Sequence, residues 1–83
     1  MNKNLLVKIL KIENEPLIIE NVRFVRILSK KYNLLIMRDY LPIIGELDGS
    51  IEIVGIETVK YENIKGYYIN RDNEFSLIIK GNI

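Results

Sequence analysis

Two pairs of carboxylates are the residues of this sequence best suited to acid–base chemistry. Glu13 and Glu15 form one pair, and Glu46 and Asp48 form the other. Neighbouring carboxylates can act as general acid and general base when a positioned substrate lies between them. Both pairs flank predicted turns, where solvated acidic side chains are common, and no third polar group accompanies either pair. We therefore interpret them as turn residues.

The residue types that carry most enzymatic chemistry are missing. The sequence contains neither cysteine nor histidine. Disulfides, thiolate and imidazole metal ligands, cysteine nucleophiles and histidine general bases are thereby excluded. Gly45, Gly49 and Gly55 are too dispersed to form a phosphate-binding loop. We expect a protein that is not an enzyme and that holds no metal and no cofactor.

A basic pair next to an aromatic residue raises the alternative of nucleic-acid binding. Lys30, Lys31 and Tyr32 could contact phosphate and stack on a base, and three tyrosines, Tyr61, Tyr67 and Tyr68, could form a stacking platform on a sheet. The formal net charge is only +1, from 12 basic and 11 acidic residues. Because phosphate contacts dominate affinity for nucleic acid, a nearly neutral chain favours a solvated loop and packed tyrosines. A small β-barrel that binds single-stranded nucleic acid remains the alternative hypothesis.

The elements that must position these residues are strands. Isoleucine dominates, valine, tyrosine and phenylalanine accompany it, and alanine is absent, a composition typical of strands. Short apolar runs recur about every ten residues between turn residues, without sustained helical periodicity. The 83 residues suffice for one domain, residues 1–83. We predict an all-β fold, a small antiparallel β-sandwich of about eight to ten short strands.

Two local features within this pattern stand out. Asp48-Gly49 suits a tight hairpin turn, so residues 43–47 and 50–56 are predicted to be separate strands; Lys65-Gly66 is likewise predicted to separate two strands. Pro42 lacks a donor and restricts Leu41, so the surrounding segment is predicted to be a loop or a sheet edge. That segment either closes the core or docks on a partner.

As an ordered series, the chain resembles the N-terminal β-sandwich domain of the epsilon subunit of F-type ATP synthase. Residues 33–44 match the family's long motif that ends in Ala-Pro-Leu-Leu, with Pro42 on its second proline. Residues 47–53 resemble the following turn and Ile-x-Ile strand, residues 64–69 the Ser-Gly-Gly segment, and residues 73–79 the closing strand. The resemblance spans residues 5–80 and does not include the family's two C-terminal helices.

The resemblance implies a mechanical function. A subunit of this kind belongs to the central stalk, where it couples the gamma subunit to the membrane c-ring during proton- or sodium-driven ATP synthesis. One sheet surface and the proline edge then face gamma, and a neighbouring loop faces the ring. By position, the expected gamma interface is Tyr40, Leu41, Pro42, Ile43 and Ile44, and the expected ring-facing loop is Ser29, Lys30, Lys31, Tyr32 and Asn33.

The expected location follows from the same resemblance. The protein would be a peripheral part of the complex on the cytoplasmic face of the membrane, without disulfides and without a nucleic-acid partner. The longest apolar run, residues 34–37, is far shorter than the roughly 20 residues that span a bilayer. Lys8 and Lys11 interrupt the apolar N-terminal stretch, so we expect neither direct membrane insertion nor a signal peptide.

Overall fold

Seven strands form the described part of the chain, which comprises residues 4–11 and 14–82 of a computed structural model. The strands are β1 Leu5–Lys11, β2 Leu17–Val22, β3 Phe24–Ser29, β4 Asn33–Met37, β5 Ile43–Val54, β6 Thr58–Arg71 and β7 Glu74–Asn82. No helix occurs within those residues. The prediction of a small all-β fold is confirmed. Glu13, of the predicted pair Glu13 and Glu15, lies outside the described residues.

The strands belong to one curled sheet with the order β2-β1-β7-β6-β5-β3-β4. Pairing is antiparallel throughout except between β1 and β7, which are parallel. β2 and β3 are separated only by Arg23, whose N–H donates to the Val54 carbonyl over 2.7 Å. The chain thus passes from pairing with β1 to pairing with β5 at this point. The sheet curls on itself in the manner of a small barrel.

The core lies inside the curled sheet. The alternation predicted from the sequence directs every second residue inward, so every strand contributes at least one side chain to the buried core, while inward residues such as Ile19, Ile43 and Tyr61 pack against it partly buried. Phe75 stacks on Tyr68 with 5.5 Å between the ring centroids. This burial supplies the main stabilisation of the fold, at roughly 25 cal/mol per Å² of apolar surface.

The predicted hairpin at Asp48-Gly49 is wrong, and so is the predicted turn at Lys65-Gly66. Both dipeptides lie inside continuous strands, β5 and β6. The β5–β6 register shifts between Gly49 and Ile51, and the β6–β7 register shifts between Lys65 and Gly66. A Cβ on Gly49 would clash with the Leu28 carbonyl oxygen, and one on Gly66 with that of Ile78. These glycines therefore permit bulges that bend long strands.

Loss of this clearance at Gly49 should destabilise the protein. We expect Gly49→Ala to lower the free energy of unfolding by about 1–3 kcal/mol, the usual cost of a strained backbone position. The neighbouring Ser50→Ala variant is the control and should stay within about 0.5 kcal/mol of the parent. Urea unfolding followed by circular dichroism measures both. Equal effects of the two substitutions would show that close approach at Gly49 is unimportant.

Candidate docking surface

The predicted proline edge is partly exposed and partly built into the core. Leu41 and Ile44 are each 76% exposed, and Pro42 is also exposed. Tyr40 and Ile43, by contrast, turn inward and pack against the buried core. Residues 38–42 form the loop between β4 and β5, as the proline predicted. Of the five residues expected at an interface, only Leu41, Pro42 and Ile44 present their side chains for contact.

An apolar outer face of the sheet continues this edge. Ile44 on β5 pairs with Ile69 on β6, and Tyr67 on β6 pairs with Ile78 on β7. Ile69, Tyr67 and Ile78 are 45%, 44% and 44% exposed. Their side chains share the side of the sheet opposite the core, because side chains alternate along each strand. We call Leu41, Ile44, Tyr67, Ile69 and Ile78 the docking face.

A groove borders the docking face beside the proline. It has a volume of about 440 Å³, and its lining includes Pro42, Ile44 and Ile69. Arg71 and Glu74 add charged groups to the lining, and each is already paired: Arg71 Nε lies 3.8 Å from Asp72, and Glu74 lies 3.2 Å from Lys8 Nζ. The groove therefore offers apolar contact within a rim whose charges are largely compensated.

The predicted ring-facing loop is the turn of the β3–β4 hairpin. The Ser29 N–H donates to the Tyr32 carbonyl over 2.9 Å, so Lys30 and Lys31 form the tip, and Asn33 begins β4. Lys30 is tied to β5 through Asp48, by its N–H over 2.9 Å and by an ion pair of 3.7 Å. Ser29 Oγ also bonds the Asp48 main chain. The tip is consequently fixed against β5.

Tyr32 joins this hairpin to the proline edge and to the core. Its hydroxyl donates to the Glu46 carbonyl over 2.6 Å and lies 2.8 Å from the Tyr68 hydroxyl. Because Tyr32 uses its one proton on Glu46, Tyr68 must be the donor of the second bond. Gly45 makes room for this arrangement, since a Cβ there would overlap the Tyr68 ring and hydroxyl.

The predicted ring-facing loop and the proline edge were expected to face different partners. In the structure they border one cavity. That cavity measures about 470 Å³ and is lined by residues of both, including Lys31, Tyr32, Ile43 and Ile44. It lies where β4 and β5, although consecutive in the chain, do not pair. The arrangement makes the two predicted sites one continuous region of the surface.

Burial also changes the acidity of the Tyr68 hydroxyl. Tyr68 is 1% exposed, and this desolvation raises its pKa well above the usual range of a tyrosine. The hydrogen bond to Tyr32 and the nearby hydroxyls of Tyr32 and Tyr40 raise the pKa further. Tyr68 thus stays protonated and available as a donor throughout the neutral pH range.

The platform of three tyrosines considered for base stacking is not formed. Tyr68 is buried, whereas its neighbour Tyr67 points to the opposite side of the sheet. Lys80 Nζ lies 4.8 Å from the Tyr67 ring centroid, and Lys11 Nζ lies at the same distance from that of Tyr61. Tyr61 is half-buried against the core and Tyr67 is exposed on the outer side, and each ring is covered in part by a lysine.

Residues 4–11 and 14–82 contain no group of histidine, cysteine, aspartate or glutamate side chains that could hold a metal ion. Nor do they include a helix with the length and hydropathy of a membrane span. Glu46 and Asp48 lie on the same side of β5, where Asp48 is engaged by the β3–β4 hairpin. The prominent feature of this part of the molecule is its apolar surface.

Comparison with known proteins adds no assignment to this geometry. No protein-family model matches the sequence, and no curated protein is significantly similar to it.

Removal of the Tyr32 hydroxyl should weaken the contact between the hairpin and β5. We expect Tyr32→Phe to lower the free energy of unfolding by about 1–2 kcal/mol, because two hydrogen bonds are lost. Tyr67→Phe is the matched control: its hydroxyl bonds only to Lys80 among the described residues and is exposed, so its loss should cost less than about 0.5 kcal/mol. Urea unfolding distinguishes the two, and equal costs would contradict the bridging role of Tyr32.

The raised pKa of Tyr68 predicts a loss of stability in alkali. Below about pH 10 the tyrosine is protonated in both the folded and the unfolded chain, so the stability is unaffected. Above that pH the unfolded chain releases the proton while the folded chain retains it, at a cost of up to about 1.4 kcal/mol per pH unit. Unfolding curves from pH 8 to 11 should therefore fall more steeply for the parent than for Tyr68→Phe. Parallel curves would contradict the prediction.

Proposed function

We propose that this protein is a non-catalytic docking domain that binds a partner protein through the docking face. The proposal rests on strand register, which places exposed apolar side chains next to one another on three adjacent strands: Ile44, Ile69, Tyr67 and Ile78. Scattered apolar residues are normal on protein surfaces, whereas a contiguous patch is typical of interaction sites. Leu41, in the loop that precedes β5, is also strongly exposed.

The stiffness of this surface supports a mechanical version of the proposal. The strands that carry the face have their inner side chains in the core, and Tyr32 ties the adjacent hairpin to β5. A surface built on packed strands changes little on binding and transmits force without deforming. Such a domain suits a permanent subunit of an assembly better than a flexible recruiting module.

The resemblance to the epsilon subunit implies one specific partner, the gamma subunit. In this form of the proposal the protein is a central-stalk subunit of an F-type ATP synthase, and the docking face binds gamma. Two observations bear on it in opposite directions. An apolar sheet surface adjoins the proline edge, as such an interface requires. The turn at Asp48-Gly49, one of the fixed points of the resemblance, is instead a bulge within β5. The docking proposal itself does not depend on this partner.

A binding experiment with matched variants tests the proposal. The protein is titrated into a gamma subunit encoded in the same genome, by calorimetry. We expect Ile44→Asp and Leu41→Asp each to weaken binding at least tenfold, because a carboxylate would be buried without a partner. Ile56→Asp is the control: Ile56 is 90% exposed in the β5–β6 turn, at the other end of β5.

Three outcomes have separate meanings. Binding that is lost in Ile44→Asp and kept in Ile56→Asp supports the docking face and the gamma assignment together. Equal loss in all three variants would contradict a localised face. Absence of binding by the parent would overturn the gamma assignment, and a labelled 15-mer of oligodeoxythymidine titrated over a range of salt concentrations then tests the nucleic-acid alternative.

A further inference from the structure

The first half of β5 has a neighbouring strand on one side only. β6 pairs with β5 from Ile43 to Val54, whereas β3 pairs with it only from Gly49 onward. Among residues 4–11 and 14–82, no strand borders the other side of β5 before Gly49. We call this side of residues 43–48 the open edge of β5.

Hydrogen bonds show which residues of β5 direct their main-chain groups toward the open edge. The Asp48 carbonyl accepts from the Lys30 N–H over 2.9 Å. The Glu46 carbonyl accepts from the Tyr32 hydroxyl over 2.6 Å. In an antiparallel strand the N–H and the carbonyl of one residue point to the same side, and successive residues alternate. Ile44, two residues before Glu46, therefore also directs its main-chain groups toward the open edge.

Three main-chain groups on the open edge have no hydrogen-bond partner in the described part of the chain. They are the N–H and the carbonyl of Ile44 and the N–H of Glu46. Both residues are exposed, and Gly45 between them carries no side chain. An unpaired strand edge is a template for a further strand, because an extended polypeptide presents matching donors and acceptors at the same spacing.

A cavity beside the open edge has room for a side chain of such a strand. It measures about 470 Å³, and its lining includes Leu34, Ile43 and Gly45. In a strand added to β5, the residue opposite Gly45 would direct its side chain to the same side of the sheet as Gly45. That side chain would enter the cavity, where Leu34 and Ile43 offer apolar contact. The residues before and after it would lie beside Ile44 and Glu46 on the outer side.

We propose that the open edge of β5 binds an extended segment of another polypeptide as an additional strand, with one apolar side chain of that segment in the cavity. The main-chain groups of the edge lie in the plane of the sheet, whereas the docking face consists of side chains on its outer side. The two contacts are therefore compatible. The inference goes beyond the proposed function and does not depend on the gamma subunit.

A peptide titration of the full chain, followed by NMR, tests strand addition. The probe is the capped peptide acetyl-Thr-Val-Leu-Val-Thr-amide, whose central leucine suits the cavity. We expect saturable binding in roughly the millimolar range and slower hydrogen exchange of the Ile44 and Glu46 amides, because only three hydrogen bonds and one side chain contribute. The same peptide with N-methyl groups on its three central residues should not bind. Equal binding of both peptides, or no saturation by the first, would overturn the proposal.

A proline variant tests the main-chain contact on the protein side. Glu46→Pro removes an N–H that points to the open edge and leaves the pairing with β6 intact, a position at which strands tolerate proline. We expect it to weaken binding at least about fivefold, the effect of one lost hydrogen bond. Glu46→Ala is the matched control, since it loses the same side chain, keeps the N–H and should bind like the parent.

Circular dichroism shows whether the proline variant is folded. If it is unfolded, hydrogen exchange in the parent complex decides: protection of the Ile44 and Glu46 amides supports strand addition, and unchanged exchange contradicts it. Equal affinity of the folded proline and alanine variants would also refute the main-chain contact.

The outcomes of this experiment and of the gamma titration are independent. A parent that binds gamma through its docking face but does not bind the peptide overturns strand addition and leaves the proposed function intact. Peptide binding that follows the proline and N-methyl pattern, without any gamma binding, supports the inference and removes the gamma assignment.

Discussion

The absence of a Cβ at two points of the sheet is the constraint on which this structure depends. At Gly49 and Gly66 a main-chain carbonyl from the adjacent strand occupies the place that a side chain would take. The two longest strands, β5 and β6, can therefore shift register and bend without being interrupted. Because they bend, a single seven-stranded sheet encloses a core that would otherwise require two separate sheets. This curvature determines which side of each strand faces the core and which side faces solvent.

Gly45 has a related effect closer to the surface. Its missing side chain lets the Tyr68 ring lie against β5, and the Tyr68 hydroxyl then reaches Tyr32. One hydrogen-bonded path thus connects the stacked pair of Tyr68 and Phe75 in the core to the β3–β4 hairpin. β3 of this hairpin already pairs with β5, and the Tyr32 bonds add a connection where the chain enters β4. This connection explains why an edge that lacks regular pairing between β4 and β5 can still present a defined surface.

The sequence predicts the fold class well because strand composition and alternation are local properties. The number and order of strands are not local: Asp-Gly satisfies the conformational demands of a hairpin turn and of a bulge equally well, and the chain at Asp48-Gly49 resolves this choice only through contact with Leu28. The parallel pairing of β1 with β7 has no sequence signal at all. At the candidate site, Pro42 correctly indicated a loop or sheet edge, since residues 38–42 form a loop. Tyr67 was considered only for base stacking, and the exposure of Ile69 and Ile78 was not predicted, because the side of a strand that faces solvent depends on how distant strands pair.

The exposed apolar side chains on the outer side of β6 and β7 affect how the molecule behaves alone. The inner phase of β6 and β7 contributes to the core, while on the outer phase Tyr67, Ile69 and Ile78 remain 44%, 45% and 44% exposed. The exposure of these apolar side chains lowers the solubility of a monomer. Polar substitutions at the same positions would raise that solubility. Lys80 over Tyr67 covers only part of this apolar set. This exposed apolar set is the physical reason for proposing that a partner protein covers the face.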